Sequence, residues 1–256
     1  MQFKSSLALL AMAVAFPAAH AQVKADGLWR GTGGAALSIT SGNTDTQALN
    51  LAVDLASATA TDKITLGGGI NYGKSKVAGV STTTAKKWAG AGQYDYNLSP
   101  KMFVFGKLGL EGDELIDLNL RTTLAGGLGY KLVESKELNF TVFGGAAYST
   151  DKYDVSKTIG SKTAKSFNRS SLFFGEESSH VLSSTTSFKQ RLEVYPGLSG
   201  DKAQILKFTA GLSVAMSSTL SLNVGLTDNY NSKPPVGVKK NDMGFITGIN
   251  VKLGAN

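Results

Sequence analysis

Apolar and polar residues alternate in this chain with a period of two, in runs of ten residues or more, almost from end to end. In 205–216, Leu206, Phe208, Ala210, Leu212, Val214 and Met216 fall on one face, and Lys207, Thr209, Gly211 and Ser213 on the other. Leu220, Leu222, Val224 and Leu226 repeat the pattern opposite Ser221, Asn223, Gly225 and Thr227. A helix would scatter these side chains around its circumference, so the runs are strands. Strands of soluble proteins average about five or six residues, whereas a tilted strand needs about 9–11 to cross a bilayer. The pattern therefore predicts an all-β fold: an antiparallel up-and-down transmembrane β-barrel.

Twelve such segments can be counted, at 28–40, 46–58, 62–74, 84–98, 102–112, 119–133, 138–150, 169–181, 185–195, 203–215, 220–230 and 242–253. In the eighth, Glu176 and Glu177 interrupt the alternation. The connections sort by parity. Those after even-numbered strands are tight, as at Thr59-Ala60-Thr61 and Ser99-Pro100-Lys101; those after odd-numbered strands are longer, at 74–84, 151–168, 196–202 and 231–241. Short turns at one end and long loops at the other are the polarity of outer-membrane barrels. The 151–168 loop is expected either to fold inward as a constriction or to cover the outside. Aromatic residues gather near segment ends (Trp29, Tyr72, Trp88, Tyr94, Tyr96, Tyr130, Tyr148, Tyr195 and Tyr230), where amphipathic rings would form interfacial girdles.

The N-terminus fits export. Lys4 precedes an apolar stretch at 7–16, and Ala19-His20-Ala21 places small residues before Gln22. This is the layout of a cleaved signal peptide, 1–21, leaving a single barrel domain over 22–256. The apolar run is too short to span a bilayer as a helix. The chain has no cysteine, which excludes disulfides, thiol catalysis and thiolate metal sites. Its net charge of +7 is scattered rather than clustered, against a nucleic-acid groove, and suits a lipopolysaccharide-facing surface. The mean hydropathy of −0.03 is what lipid-facing apolar residues alternating with lumen-facing polar ones produce.

Several stretches carry a family resemblance. Ser41-Gly42-Asn43-Thr44-Asp45-Thr46, the tyrosine-ended third and fourth strands, Gly126-Gly127-Leu128-Gly129-Tyr130, and Pro234-Pro235 followed by Lys239-Lys240 and Asp242 resemble the YdiY-like salt-induced outer membrane proteins, a family of unknown function. The resemblance runs over nearly the whole chain after residue 21. It implies a barrel in the outer membrane of a Gram-negative bacterium, inserted by the barrel assembly machinery, and supplies no reaction, ligand or site. The family's name alone suggests envelope maintenance under salt or osmotic stress. One departure is the ending Leu253-Gly254-Ala255-Asn256, where such barrels usually end in an aromatic residue.

Chemistry is sparse. Apart from His20 the chain has one histidine, His180, near Glu176, Glu177, Ser178 and Ser179. A metal site, or a serine hydrolase of the outer-membrane phospholipase type, could be imagined there. In a strand, however, Ser178 and His180 share a face and Glu177 points the other way, and a polar strand end explains the cluster more simply. Glycine pairs such as Gly31/Gly33 and Gly90/Gly92 lack the strand–loop–helix context of a phosphate loop. No cofactor, metal or catalytic residue is expected. More informative are the charged residues opposite the apolar stripes, the candidate lumen lining: Asp54, Asp95, Lys107, Glu111, Arg121, Lys131, Lys189, Arg191, Glu193 and Lys207. They allow an interior filled with ion pairs and no pore, or a narrow channel biased toward anions by its excess of Lys and Arg. A soluble periplasmic binding module is the remaining alternative.

Overall fold

In a computed structural model, residues 24–41 and 44–255 are described; the expected signal segment 1–21, Gly42-Asn43 and Asn256 lie outside them. Twelve strands follow in order: β1 (Arg30–Thr40), β2 (Thr44–Ala58), β3 (Asp62–Val77), β4 (Val80–Asn97), β5 (Met102–Asp113), β6 (Leu118–Glu134), β7 (Leu138–Ile159), β8 (Lys162–Val181), β9 (Thr186–Pro196), β10 (Gln204–Ala215), β11 (Leu220–Asn231) and β12 (Asn241–Gly254). Each pairs antiparallel with its sequence neighbours, and β12 returns to β1 from Arg30↔Gly254 to Ala35↔Ile249. The sheet is a closed barrel with no free edge. Closure matters because a strand edge exposed to hydrocarbon would leave its N–H and C=O groups without partners.

The barrel is turned inside out relative to a soluble domain. Its outer face carries large exposed apolar side chains, among them Leu37, Leu66, Leu128, Phe174 and Phe245. Tyr94, Tyr96 and Tyr130 ring that face toward the end with the short turns, and Tyr72, Trp88 and Tyr148 toward the opposite end. Tyr195 departs from the girdle reading: it is 6% exposed and points into the lumen.

Inside, Phe103, Phe105, Phe143, Phe173 and Tyr195 form a cluster with Ala147, Ala203 and Ile205. Phe173 lies at the centre against the rings of Phe105, Phe143 and Tyr195, stacking on Tyr195 at a centroid distance of 4.7 Å. Two glycines make room for rings. A Cβ on Gly129 would collide with the Phe103 ring, and one on Gly175 with the Phe143 ring. The strand-interior glycines thus act where side chain and backbone approach closely.

The end carrying the short turns, where β1 begins and β12 ends, is the near end, the other the far end. At the far end two expected loops are strand. β3 and β4 run on to a two-residue turn, Ala78-Gly79, with φ of 48° and 84°, the conformation that matches the right-handed twist of a hairpin. The 151–168 segment is likewise a hairpin, turning at Gly160-Ser161. β7 and β8 have 22 and 20 residues, about twice what a bilayer crossing needs, so they project beyond it. A register shift between Lys152 and Lys157 bends the projection. Its tip meets the β11–β12 connection, where the Val236 N–H donates to the Thr158 carbonyl at 3.0 Å. β7 and β11 are not neighbours in the barrel, so this contact crosses its mouth. Beneath it Leu118, Tyr153, Ile159 and Phe167 form a second apolar cluster. The expected loop is a strap over the far mouth.

Candidate functional site

The inner wall is uneven. On β1–β3 and β10–β12 it carries small residues such as Gly34, Ala52, Gly67, Gly69, Gly211 and Gly225. On β4–β9 the same face carries rings and long charged side chains, and these reach across the lumen.

One network is centred on Glu193 of β9. Lys107 of β5 lies 2.5 Å from its Oε1, and the Arg191 Nε–H and Tyr195 O–H donate to it at 2.8 Å each. Arg191 also pairs with Glu177 of β8, and its guanidinium lies 4.8 Å from the Phe143 ring centroid. It donates further to Gln93 of β4 at 3.3 Å; Gln93 donates to Asp95 at 2.7 Å, and Lys63 pairs with Asp95 at 3.3 Å. A second network lies nearer the far end. Arg121 makes two parallel bonds of 2.7 Å to Asp151 and a longer one, 3.4 Å, to Glu111, which also pairs with Lys207 of β10. Two-pronged arginine–carboxylate pairing fixes direction as well as charge.

Lys107–Glu193 joins strands four apart around the barrel, and Glu111–Lys207 strands five apart. Side chains a few ångströms long meet there in mid-lumen. Lys87 of β4 pairs similarly with Asp242 of β12 at 2.8 Å, and Arg169 of β8 with Asp201 of the β9–β10 connection at 2.9 Å, both of the latter about 95% covered. Toward the near end a vestibule of ≈ 200 Å³ opens, lined by Asp95, Lys131, Glu134, Asn139 and Arg191 over Phe103 and Phe143.

The ten expected positions therefore sort as follows. Lys107, Arg191 and Glu193 meet in the first network, and Glu111, Arg121 and Lys207 in the second. Asp95 and Lys131 border the vestibule, where Lys131 pairs with Glu134 at 3.7 Å. Asp54, buried on β2, and Lys189 on β9 both face the lumen. Sequence reasoning missed Glu177 and Asp151. The first sits in the strand whose alternation looked broken; the second fell in a presumed loop. The broken alternation has a simple origin: Glu177 faces inward to Arg191, and Glu176 faces outward to Gln190.

His180 and Ser178 pair with Leu138 and Phe140 of β7 on the outer face, and the Ser178 Oγ and His180 Nε2 are 3.1 Å apart. Glu177 is turned away from them, Glu176 on their own face is bonded to Gln190 rather than to the imidazole, and the strand N–H groups there are engaged in the ladder, so neither glutamate orients His180 and no oxyanion hole adjoins. Among the described residues no group of His, Asp or Glu is placed to hold a metal ion.

A closed, twelve-stranded, all-antiparallel barrel with an apolar exterior and a bridged polar interior is the class these observations define. The chain belongs to the family described as "Protein of unknown function, DUF481", whose model matches residues 33–253. That agrees with the family resemblance noted in the sequence, and the match names no salt response. Among solved structures, the chain is similar to the NanC porin at 10% identity, covering 88% of this chain and 97% of that one, with a TM-score of 0.47. It is also similar to the translocator domain of the autotransporter NalP from Neisseria meningitidis, at 13% identity, 90% and 86% coverage and a TM-score of 0.46. An outer membrane channel from Pseudomonas putida F1 gives 12% identity, 94% and 97% coverage and a TM-score of 0.46. No curated protein matches the chain.

Proposed function

We propose that the chain is an exported, non-enzymatic barrel of the Gram-negative outer membrane, held shut at rest by ion pairs across its lumen. Its role is then in the envelope itself rather than in chemistry, and maintenance under salt or osmotic stress is the form of that role the family resemblance suggests. The apolar exterior between two aromatic girdles supports the location. On this reading the near end is periplasmic, a signal peptide is removed at export, and the barrel assembly machinery inserts the chain. The strapped far end then faces lipopolysaccharide.

The observation that carries the closed state is the pair of bridges Lys107–Glu193 and Lys207–Glu111. The test is conductance of the refolded protein in planar bilayers, on samples whose heat-modifiable gel mobility shows folding. No steady steps are expected from the unaltered chain. Steady discrete steps would overturn closure. The double variant Lys107→Ala/Lys207→Ala removes both bridges and is expected to produce steps.

A second reading, a narrow channel for small anionic solutes, is favoured by one observation, the small-residue wall on β1–β3 and β10–β12. Reversal potentials in a salt gradient distinguish it: it requires steps from the unaltered protein, with anions preferred. A hydrolase at His180 is disfavoured by the missing acid and oxyanion donors. Purified protein is expected to show no esterase activity on short-chain esters, unchanged by His180→Ala. Turnover abolished by that substitution would reverse this view.

A further inference from the structure

The connections at the far end are tied to one another. The β7–β8 strap meets the 232–240 connection through the Val236–Thr158 bond, beside which Pro235 is buried. The 197–203 connection joins them: at its end the Gln204 N–H donates to Ser232 Oγ at 2.8 Å, and Lys233 Nζ donates to the Asp201 carbonyl at 3.0 Å. Exposed lysines stand on both sides of the Val236–Thr158 contact. Lys162 and Lys165 lie on either side of Thr163, the ladder partner of Thr158, and Lys239 and Lys240 follow Val236 closely. Lys202, also exposed, stands on the 197–203 connection. The carboxylates of this region are engaged elsewhere: Asp117 with Lys157, Asp201 with Arg169, Asp242 with Lys87, and Asp154 with the Asn119 amide. Among the described residues no carboxylate pairs with Lys162, Lys165, Lys202, Lys239 or Lys240.

We propose that this face docks the phosphorylated headgroup of lipopolysaccharide, and that the bound phosphates hold the strap down over the mouth. The inference rests on the membrane reading above, which puts the far end among those headgroups. Like charges on the two sides of one contact repel, and the chain's own carboxylates nearby are spent on other partners. A phosphate oxygen accepts a charge-assisted bond from each lysine ammonium it meets. A glycolipid carrying several phosphates on one saccharide can engage lysines of the strap and of the 232–240 connection together, so the repulsion across the contact becomes a clamp. Because these lysines are exposed and unpaired, the headgroup reaches them without breaking an ion pair. A ligand that binds only the closed strap lowers the population of opened straps by mass action. Free phosphate can neutralise one side of the contact but cannot bridge it, which separates the headgroup from a soluble anion.

The test is proteinase K nicking of the strap in the refolded barrel in detergent, with fragment masses locating the cuts and heat-modifiable mobility showing that the barrel is intact. Adding lipopolysaccharide is expected to slow nicking within 152–166 about tenfold. Lipopolysaccharide stripped of its phosphates, or inorganic phosphate alone, should leave the rate unchanged. The variant Lys162→Gln/Lys165→Gln/Lys239→Gln/Lys240→Gln should lose the protection, and without lipopolysaccharide it should be nicked no faster than the unaltered chain, because the repulsion is gone. Lys101→Gln/Lys136→Gln, in near-end turns, is the control and should keep full protection. The proposal is overturned by no protection from lipopolysaccharide, by equal protection from the stripped form or from inorganic phosphate, or by protection that survives in the four-lysine variant. The membrane reading is tested separately by fractionation of cells. Folded chain absent from the outer membrane sinks that reading and the docking surface together; folded chain present there but unprotected sinks the docking surface alone.

Discussion

Replacing Glu193 by alanine is expected to lower the unfolding free energy of the barrel by about 3–5 kcal/mol, the range for stranding one side of a buried ion pair. Glu193 accepts from Lys107, Arg191 and Tyr195 together. Its side chain is 7% exposed and that of Lys107 17%, so solvent replaces little of what is lost. Arg191 keeps Glu177, but among the described residues Lys107 is left with the Phe173 ring, at 5.8 Å. Two cations then face each other over one carboxylate. Glu193→Gln retains an acceptor of the same shape and should cost less. Removing both charges with Lys107→Met in the Glu193→Ala background should recover more than half the loss, because a matched apolar replacement of a buried pair is close to neutral. The measurement is urea unfolding in detergent micelles, followed by heat-modifiable mobility. A loss below about 1 kcal/mol for Glu193→Ala would mean that water enters and solvates the pair as it does a surface one.

The strand count and the parity of the connections were legible because both follow from local constraints. Alternation needs only a two-sided environment along each strand, as 205–216 shows, and tight turns mark the near end. The near-end strand limits agree with the sequence reading to within a residue or two, for example β5 beginning at Met102 and β7 at Leu138. At the far end those of β3, β4, β7 and β8 did not, the strands running on past the expected limits. Beyond the apolar belt both faces of β7 and β8 meet water or the apolar cluster under the strap, so Lys, Ser and Thr occupy either face and the period fades. A signal was nonetheless present: Gly160-Ser161, a two-residue hairpin turn with φ of 60° at its glycine. The charged inner residues were legible one by one, each opposite an apolar stripe. Their partnerships were not, because Lys107 and Glu193 are 86 residues apart and meet only through register and the closure of the whole sheet. The same holds for Glu176. Its outward direction can be read only once β8 is paired with β7.

Gly127→Leu is expected to prevent assembly altogether. Gly127 of β6 stands opposite Gly145 of β7 on the inner face, and a Cβ there would overlap the Gly144 carbonyl and lie 2.7 Å from the Gly145 Cα. These are backbone atoms in the middle of a ladder, so no rotamer change relieves the clash. Either β6 and β7 separate, leaving unpaired N–H and C=O groups, or the strand twists and carries Lys107, Arg121 and the phenylalanine cluster out of register. A separated ladder in a closed barrel also creates two edges where the native state has none. The matched control is Gly106→Leu. Gly106 of β5 faces outward, and a Cβ there meets nothing within 4 Å. The added side chain would simply join the apolar exterior. Pulse-labelled cells should show Gly106→Leu reaching the heat-modifiable form at the unaltered rate, and Gly127→Leu accumulating unfolded and being degraded. Normal folding of Gly127→Leu would show that the β6–β7 approach at this point is not what closes the barrel. Failure of Gly106→Leu would mean that its face meets another surface rather than lipid.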